Sequence, residues 1–447
     1  MADKNSTVHS TGSYRLDRVE IAALPNKTNE GKDRFDVTNS VISFDYFENI
    51  LEPSVTIRLV LTNSTSLIDL IPIRGGERVD FSISTGNGTF EPSETLEFYV
   101  HKISDIASED LKETFTLHIT TKDSMSNETT RCQRKYQKLN IAEHVKSILK
   151  DDLGTENFKD ENIEKTSNPY SFIGCNRKPF HTLQWLSPKG ISISEGVKGE
   201  SGEGTEAEAK GTSGFLFYEN RDGYNFKSID SLVSSTGLDA ADPKEVFSYE
   251  YTGVIQSGQV IGNPGPIINY SFDKHIDIKK ALRIGLFNNY TIYYDSLTNT
   301  FSTIKYKPVK DSSINPQDGY VDDDASYFKA QSDLYGQSTS RLLTRISDHG
   351  TLESGMGDGG SGASPSDMSR SFSRYNLMFS QALNILVPCN IGLKVGDIIT
   401  CKFPDRKTSR KSMTGSYLIR ELRHHFVLNQ NVTSLKLMSD TYNLNGV

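Results

Sequence analysis

Tryptophan occurs once and cysteine four times in 447 residues. Cys132, Cys175, Cys389 and Cys401 form no C-x-x-C pair and have no clustered histidines beside them, which argues against a zinc site or disulfide framework and predicts buried, reduced thiols. Long apolar runs are also missing. No window approaches the roughly 20 consecutive apolar residues of a spanning helix, and the opening MADKNSTVHSTGSYR has no apolar signal core. Neither membrane insertion nor secretion is expected. Hydrophobic residues make up 35% of the chain. With glycine counted and tyrosine left out, the share is about 38%, below the roughly 45–50% of typical globular chains, and a polar-surfaced, soluble protein is expected. Bases are in deficit as well: 49 Lys and Arg against 57 Asp and Glu leave a net charge of −8, which disfavours a general basic grip on nucleic acid.

Chemical motifs are equally scarce. Neither H-E-x-x-H nor G-x-S-x-G occurs. Gly355-Met-Gly357-Asp-Gly-Gly360 has the spacing of G-x-G-x-x-G, but no strand feeds it and its neighbours are glycine and serine, so it reads as a flexible loop. Lys210-Gly211-Thr212 reverses the order a phosphate loop needs. Asp318, Asp322, Asp323 and Asp324 lack the spacing and closing glutamate of a twelve-residue calcium loop and read as a solvated turn. His424 and His425 adjoin in an expected strand, where neighbours point to opposite faces and cannot converge on one metal. The carboxylates are too scattered to nominate a glycosidase acid and base. No catalytic residue, cofactor site or metal site is assigned, and no enzyme is expected.

Strand patterning is what the sequence does contain. Val55, Ile57, Leu59 and Leu61 alternate with polar residues, as do Val79, Phe81 and Ile83; Phe98, Val100 and Ile103 with a slip; and Phe115, Leu117 and Ile119. This predicts an antiparallel domain with one wet face. At Asn140 the period changes to helical: Ile141, Val145, Ile148 and Leu149 share a face, Glu143 completes a capping box and Gly154 follows the Leu153 end, so a helix over 140–153 opens a second domain. A short helix begins at Pro179 and carries Phe180, Leu183 and Leu186, with Trp185 as a packing residue. Residues 194–214, rich in Gly, Glu and Ser, read as a mobile loop. A hairpin over 215–228 turns at Asp222-Gly223, and a helical pattern runs from about Met368 to Leu383 before the last strands.

The two ends of the chain echo each other. Gly76-Glu77-Arg78-Val79-Asp80-Phe81 resembles Gly396-Asp397-Ile398-Ile399-Thr400-Cys401; the segment beginning at Phe98 resembles that at Tyr417, and Phe115 onward resembles Thr433 onward. The offsets stay near 320 with single-residue slips, as expected of two similar barrels made by duplication.

With these pieces in order, the chain resembles the central baseplate hub proteins of contractile-tailed phages of the T-even-like type, and more loosely the hub half of spike proteins of contractile injection systems. The resemblance is carried by Gly75-Gly-Glu-Arg-Val-Asp80, Leu96 to Asp105, Asn127 to Arg131, Thr166 to Phe172, Pro179-Phe180 with Trp185-Leu186, Gly214 to Ser228, Leu393 to Asp397 and Gly415 to Leu418. It implies a mainly β fold with an α+β middle domain: a tube-like antiparallel β-barrel over 1–135, a middle domain from 136–245 and 306–374, and a second, discontinuous barrel from 246–305 and 375–447. It further implies a homotrimer with six tube-like modules, joining the sixfold tail tube or its initiator to a threefold central spike. Baseplate wedge or other hub-proximal proteins would be neighbours, and DNA would pass without specific binding. Such a chain resides in the virion tail baseplate, assembled in the host cytoplasm, and has no active site to carry over. Two other classes are weighed: a tail-associated cell-wall hydrolase, which needs a pocket, and a host-binding tail protein, which usually has a repetitive shaft.

Overall fold

The computed structural model describes residues 14–22, 34–63, 73–85, 88–92, 95–109, 112–193, 213–234, 247–251, 266–274, 277–307, 327–346, 365–403, 414–427 and 430–440. The acids at 318–324, the glycines at 355–360, Lys210-Gly211-Thr212 and the rest of the 194–212 stretch lie outside these residues.

The N-terminal alternation is realised as β1 (Tyr14–Ala22), β2 (Arg34–Asp36), β3 (Val41–Asn49), β4 (Thr56–Thr62), β5 (Arg78–Thr85), β6 (Gly88–Phe90), β7 (Phe98–Glu109) and β8 (Lys112–Thr121). The inward residues are those the pattern marks: Ile57, Leu59, Val79, Phe81, Val100, Leu117 and Ile119 are buried. The slip after Phe98 is a β-bulge between Val100 and Lys102, where an extra residue resets which side chains face the core.

The middle of the chain holds α1 (Lys122–Thr129), β9 (Lys135–Asn140), and α2, helical over Ile141–Ser147 and continued by a π turn over Ile148–Leu153. β10 (Phe158–Ile163), β11 (Pro169–Ile173), α3 (Pro179–Leu186), β12 (Phe215–Asn220), β13 (Gly223–Ser228) and α4 (Ile229–Ser234) follow. The Glu143 carboxylate accepts from the Asn140 backbone N–H, and Gly154 ends the helix at φ 73°. The hairpin turns on Arg221-Asp222 rather than Asp222-Gly223, because Asn220 already pairs with Gly223. Gly223 sits at φ 104° where a Cβ would collide with the Asn157 carbonyl, so only glycine fits. Ser213 and Gly214, assigned to the loop by composition, are buried at the start of this hairpin.

β12 is buried at every position. Phe215 and Phe217 enter a core with Ile141, Val145, Leu183 and Tyr224, whereas Leu216 and Tyr218 enter the core of the large sheet. An unbroken apolar run is what a strand buried on both faces requires.

The remaining elements are β14 (Ser248–Glu250), β15 (Asn269–Lys274), α5 (Ile278–Arg283), β16 (Asn289–Asp295), β17 (Thr300–Tyr306), α6 (Tyr327–Tyr335), β18 (Arg341–Ile346), α7 (Pro365–Met378), β19 (Gln381–Pro388), β20 (Ile398–Lys402), β21 (Gly415–Val427) and β22 (Gln430–Ser439). α7 ends at Met378, short of the helical pattern read to Leu383. Leu383 instead alternates with Ile385 and Val387 as the buried side of β19. Of the 246–305 stretch, β14 and β15 pair within the large sheet, whereas β16 and β17 pair with β18 in a sheet of their own. β17 is mostly exposed and supplies little to a barrel core. α7 covers one face of this small sheet through Tyr293–Ser369 and Asn289–Ser373 hydrogen bonds, while Phe301, Leu342 and Ile346 are exposed on the other.

Fourteen strands form one sheet in the order β15-β19-β22-β21-β3-β4-β8-β7-β5-β1-β2, with β20 and β14 attached at β21 and β6 at β5. The fold is mainly antiparallel β, and within it one four-strand unit occurs twice. The cross-strand row Phe44–Leu59–Leu117–Ile103 of β3-β4-β8-β7 corresponds to Tyr270–Ile385–Leu435–Leu422 of β15-β19-β22-β21. The bulge between Val100 and Lys102 returns between Ile419 and Glu421. The echoed glycines also act alike: Gly76 N–H donates to Val100 O (2.7 Å) and Val100 N–H to Glu77 O (2.9 Å), while Gly396 N–H donates to Ile419 O (3.1 Å) and Ile419 N–H to Asp397 O (2.9 Å). In each turn the acid side chain accepts from a backbone N–H just upstream, Arg74 for Glu77 and Lys394 for Asp397.

Candidate assembly surface

Among the described residues, no group of three or more His, Cys, Asp or Glu side chains could hold a metal. The two adjacent histidines separate as expected. His424 is buried against Tyr46, Phe90 and Phe426, bonds Thr433 through Nδ1 (2.9 Å) and is held neutral by burial, its pKa pushed down to about 3. His425, on the opposite face, contacts the Asp45 carboxylate. Cys132, Cys389 and Cys401 are buried and their thiols pushed up by desolvation. Cys175 is exposed, contrary to expectation: it occupies a turn between β11 and α3 at φ 52°, outside the core. Trp185 packs edge-on against Tyr170 and Phe172 and lies under the Lys189 ammonium (4.4 Å), a packing role. One cleft of about 410 Å3 is lined by Glu97, Lys122, Asp123, Thr155 and Asn157, and the Lys122–Glu97 ion pair (2.9 Å) neutralises two of its charges.

Two buried carboxylates join the modules, and sequence patterning marked neither. Glu48, on β3, accepts from Tyr46 Oη (2.9 Å), Arg221 N–H (2.8 Å) at the hairpin turn and Val395 N–H (3.0 Å) ahead of β20. Glu219, on β12, accepts from Val55 N–H (2.9 Å) and Thr121 Oγ1 (3.0 Å), at the ends of β4 and β8. Burial is the largest influence on both and raises both pKa values, that of Glu219 to about 8. Lys394–Asp222 (2.7 Å) and the Arg221 guanidinium on the Ile391 and Gly392 carbonyls complete the joint. The hairpin tip is thereby held by both halves of the large sheet. A charged residue inside an otherwise apolar strand, Glu219 after Phe215-Leu-Phe-Tyr218, was the available sequence signal.

The face of the sheet turned away from the core carries a cross-strand row His425–Asp45–Arg58–His118–Lys102. Arg423 reaches Asp45 (3.0 Å), Arg58 reaches Asp105 (3.7 Å) and Lys436 reaches Glu421 (2.7 Å). His101 and His118 are lowered, by burial first and then by Lys102. This wall is thus of mixed sign, and the chain's net −8 is not concentrated on it.

The edges of the repeat differ. At the junction of the two units, β21 lies on β3 from Glu421–Asn49 to Val427–Ser43. Two matching edges have no strand partner among the described residues: β15 ends the sheet order, and β7 pairs with β5 only at Phe98 and Tyr99, leaving its far half open on that side. Ile106, in that far half, is 61% exposed.

No family model matches the chain, and no curated protein matches it in sequence. In fold it is similar to a tail protein from Neisseria meningitidis MC58, at TM-score 0.53 and 10% identity over 96% of this chain and 97% of that one. It is likewise similar to the 43 kDa tail protein of prophage MuSo2 from Shewanella oneidensis, at TM-score 0.53 and 9% identity over 96% of this chain and 99% of that one.

Proposed function

We propose that this chain is a structural subunit of a phage tail baseplate, a central hub of which three copies close into a ring around a channel. The observation that carries this reading is the repeated four-strand unit, joined edge to edge within the chain and leaving, among the described residues, one matching open edge on its outer strand β15 and one on the far half of β7. A chain with two complementary ends associates head to tail, and closure after a small number of copies is what leaves no edge exposed. Three copies of a twofold repeat present six modules, which suits a sixfold tube on one side and a threefold spike on the other. The similarity in fold to two tail proteins supports the same assignment. The mixed-sign wall would face the channel, and paired charges on it favour passage of DNA over its retention.

In this reading the chain supplies no chemistry, and its partners are the spike, the tube or its initiator, and neighbouring baseplate proteins. Light scattering on the purified protein should give three chain masses at micromolar concentration, and negative-stain images should show rings. A stable dimer would contradict the ring. Cell-wall lysis by the purified chain, lost on substituting a single Asp or Glu, would contradict the structural role.

A further inference from the structure

We infer that the copy-to-copy contact is a specific antiparallel strand pairing: β15 of one copy lies on the open half of β7 of the next, with Ser271 opposite Ala107. This deepens the ring proposed above and rests on it; the partner is a second copy of this chain.

The register follows from the junction already present inside the chain. Outside the bulges, positions of one unit have counterparts in the other, fixed by rows of backbone pairing. Asp45 lies across from Arg58 and His118, and Ser271 across from Asn384 and Lys436, so Ser271 stands where Asp45 stands. Tyr270 corresponds to Phe44 by the same reasoning, and Asn269 to Ser43. On the other side, Arg423 pairs with Ser434 and His425 with Val432, while Ser104 pairs with Thr116 and Ala107 with Thr114. β7 therefore carries one more residue than β21 between these pairs, at Asp105-Ile106, where Asp105 adopts φ 52° and the ladder with β8 is interrupted. Ala107 stands where His425 stands. Since His425 faces Asp45 at the internal junction, Ala107 faces Ser271 at the external one.

The two junctions have the same backbone geometry and different chemistry. The internal one buries Asp45 between Arg423 and His425. The external one places Ser104, Ala107 and Ser271 at the matching positions, with the exposed Ile106 beside them. The lack of a counterpart to the Asp45 ion pair at Ser271 and Ala107 distinguishes the copy-to-copy edge from the internal one. It also keeps an acid–base pair from drawing β15 onto its own chain's β21 in place of β3, because Ser271 offers no charge to Arg423.

The test uses full-length chains in a Cys175→Ser background, which removes the one exposed thiol. Directly opposed residues on antiparallel strands have Cα atoms about 4.5–5.5 Å apart, within disulfide reach. An Ala107→Cys chain mixed with a Ser271→Cys chain should yield a cross-linked heterodimer under mild oxidation, and a chain carrying both substitutions should yield a ladder that stops at three. An Ala107→Cys chain mixed with an Asn269→Cys chain, two positions out of register, should link at least tenfold more slowly. If light scattering reports a trimer but Ser271→Cys links no faster than Asn269→Cys, the strand register is overturned and the ring stands. If the unmodified chain stays monomeric at all concentrations and nothing links, the ring falls and this pairing with it.

Discussion

Several buried ionisable side chains find partners far away in sequence. Glu219 is enclosed where the hairpin meets β4 and β8, and its folded-state pKa of about 8 lies above the 4.5 of an unperturbed glutamate. Stability from this group is therefore full below about pH 4.5, declines as the pH rises and is lost above about pH 8, a change on the order of 5 kcal/mol. Glu219→Gln, which imitates the protonated acid, should flatten the pH dependence of urea melts between pH 5 and 8 and raise stability at pH 8. A steeper dependence in the variant would contradict the assignment. Arg374, 1% exposed, donates to Asp230 (2.9 Å) and Asp440 (2.8 Å), tying α7 to α4 and to the end of β22. Arg374→Ala leaves two buried acids without their cation and should cost about 3–5 kcal/mol in urea melts. Restoring neutrality with Asp230→Asn and Asp440→Asn should recover part of that loss.

The hairpin β12–β13 is the element on which the modules meet, since its two faces serve two cores. Its close fit to the C-terminal half is visible at Gly396, where φ is 87° and a Cβ would collide with the Tyr218 hydroxyl. Gly396→Ala should destabilise by about 1–3 kcal/mol through backbone strain and overpacking together. Combining it with Tyr218→Phe removes the collision but not the strain, so the double variant should lose less than the sum of the singles, as a double-mutant cycle in chemical denaturation would measure. The run Phe215-Leu-Phe-Tyr announced a buried strand in the sequence. That one face would meet the large sheet could not be read there, because periodicity reports how many faces are buried and not what buries them.

For the molecule as a whole, the exposed edge of β7 is where assembly should be sensitive. Ile106 is 61% exposed in the single chain, so Ile106→Lys should leave the melting of the monomer almost unchanged. Burying an aliphatic side chain contributes about 1.5–3 kcal/mol, so the variant should weaken self-association by roughly 10- to 100-fold in light scattering. Because Asp45, Asp105 and Glu421 offset three of the wall's bases, DNA retention by the proposed ring should be weak at moderate salt. Tight binding with a steep salt slope would contradict a passive channel.

Legible in the sequence alone were the N-terminal strands, their inward residues, the capped helix and the echo between the two ends, because alternation, caps and glycine turns are local properties that near neighbours suffice to set. Even the bulge between Val100 and Lys102 leaves a local mark, the slip in the Phe98 pattern. Tertiary structure alone decided that the two repeats share one continuous sheet through β21 and β3, that β16 and β17 leave it for a sheet with β18, and that Glu48 and Glu219 are buried at the joint. Each of these depends on strands or loops brought together from hundreds of residues apart, and a backbone edge offers the same N–H and C=O groups whatever its side chains. Which edge finds which is settled by the packing of whole modules.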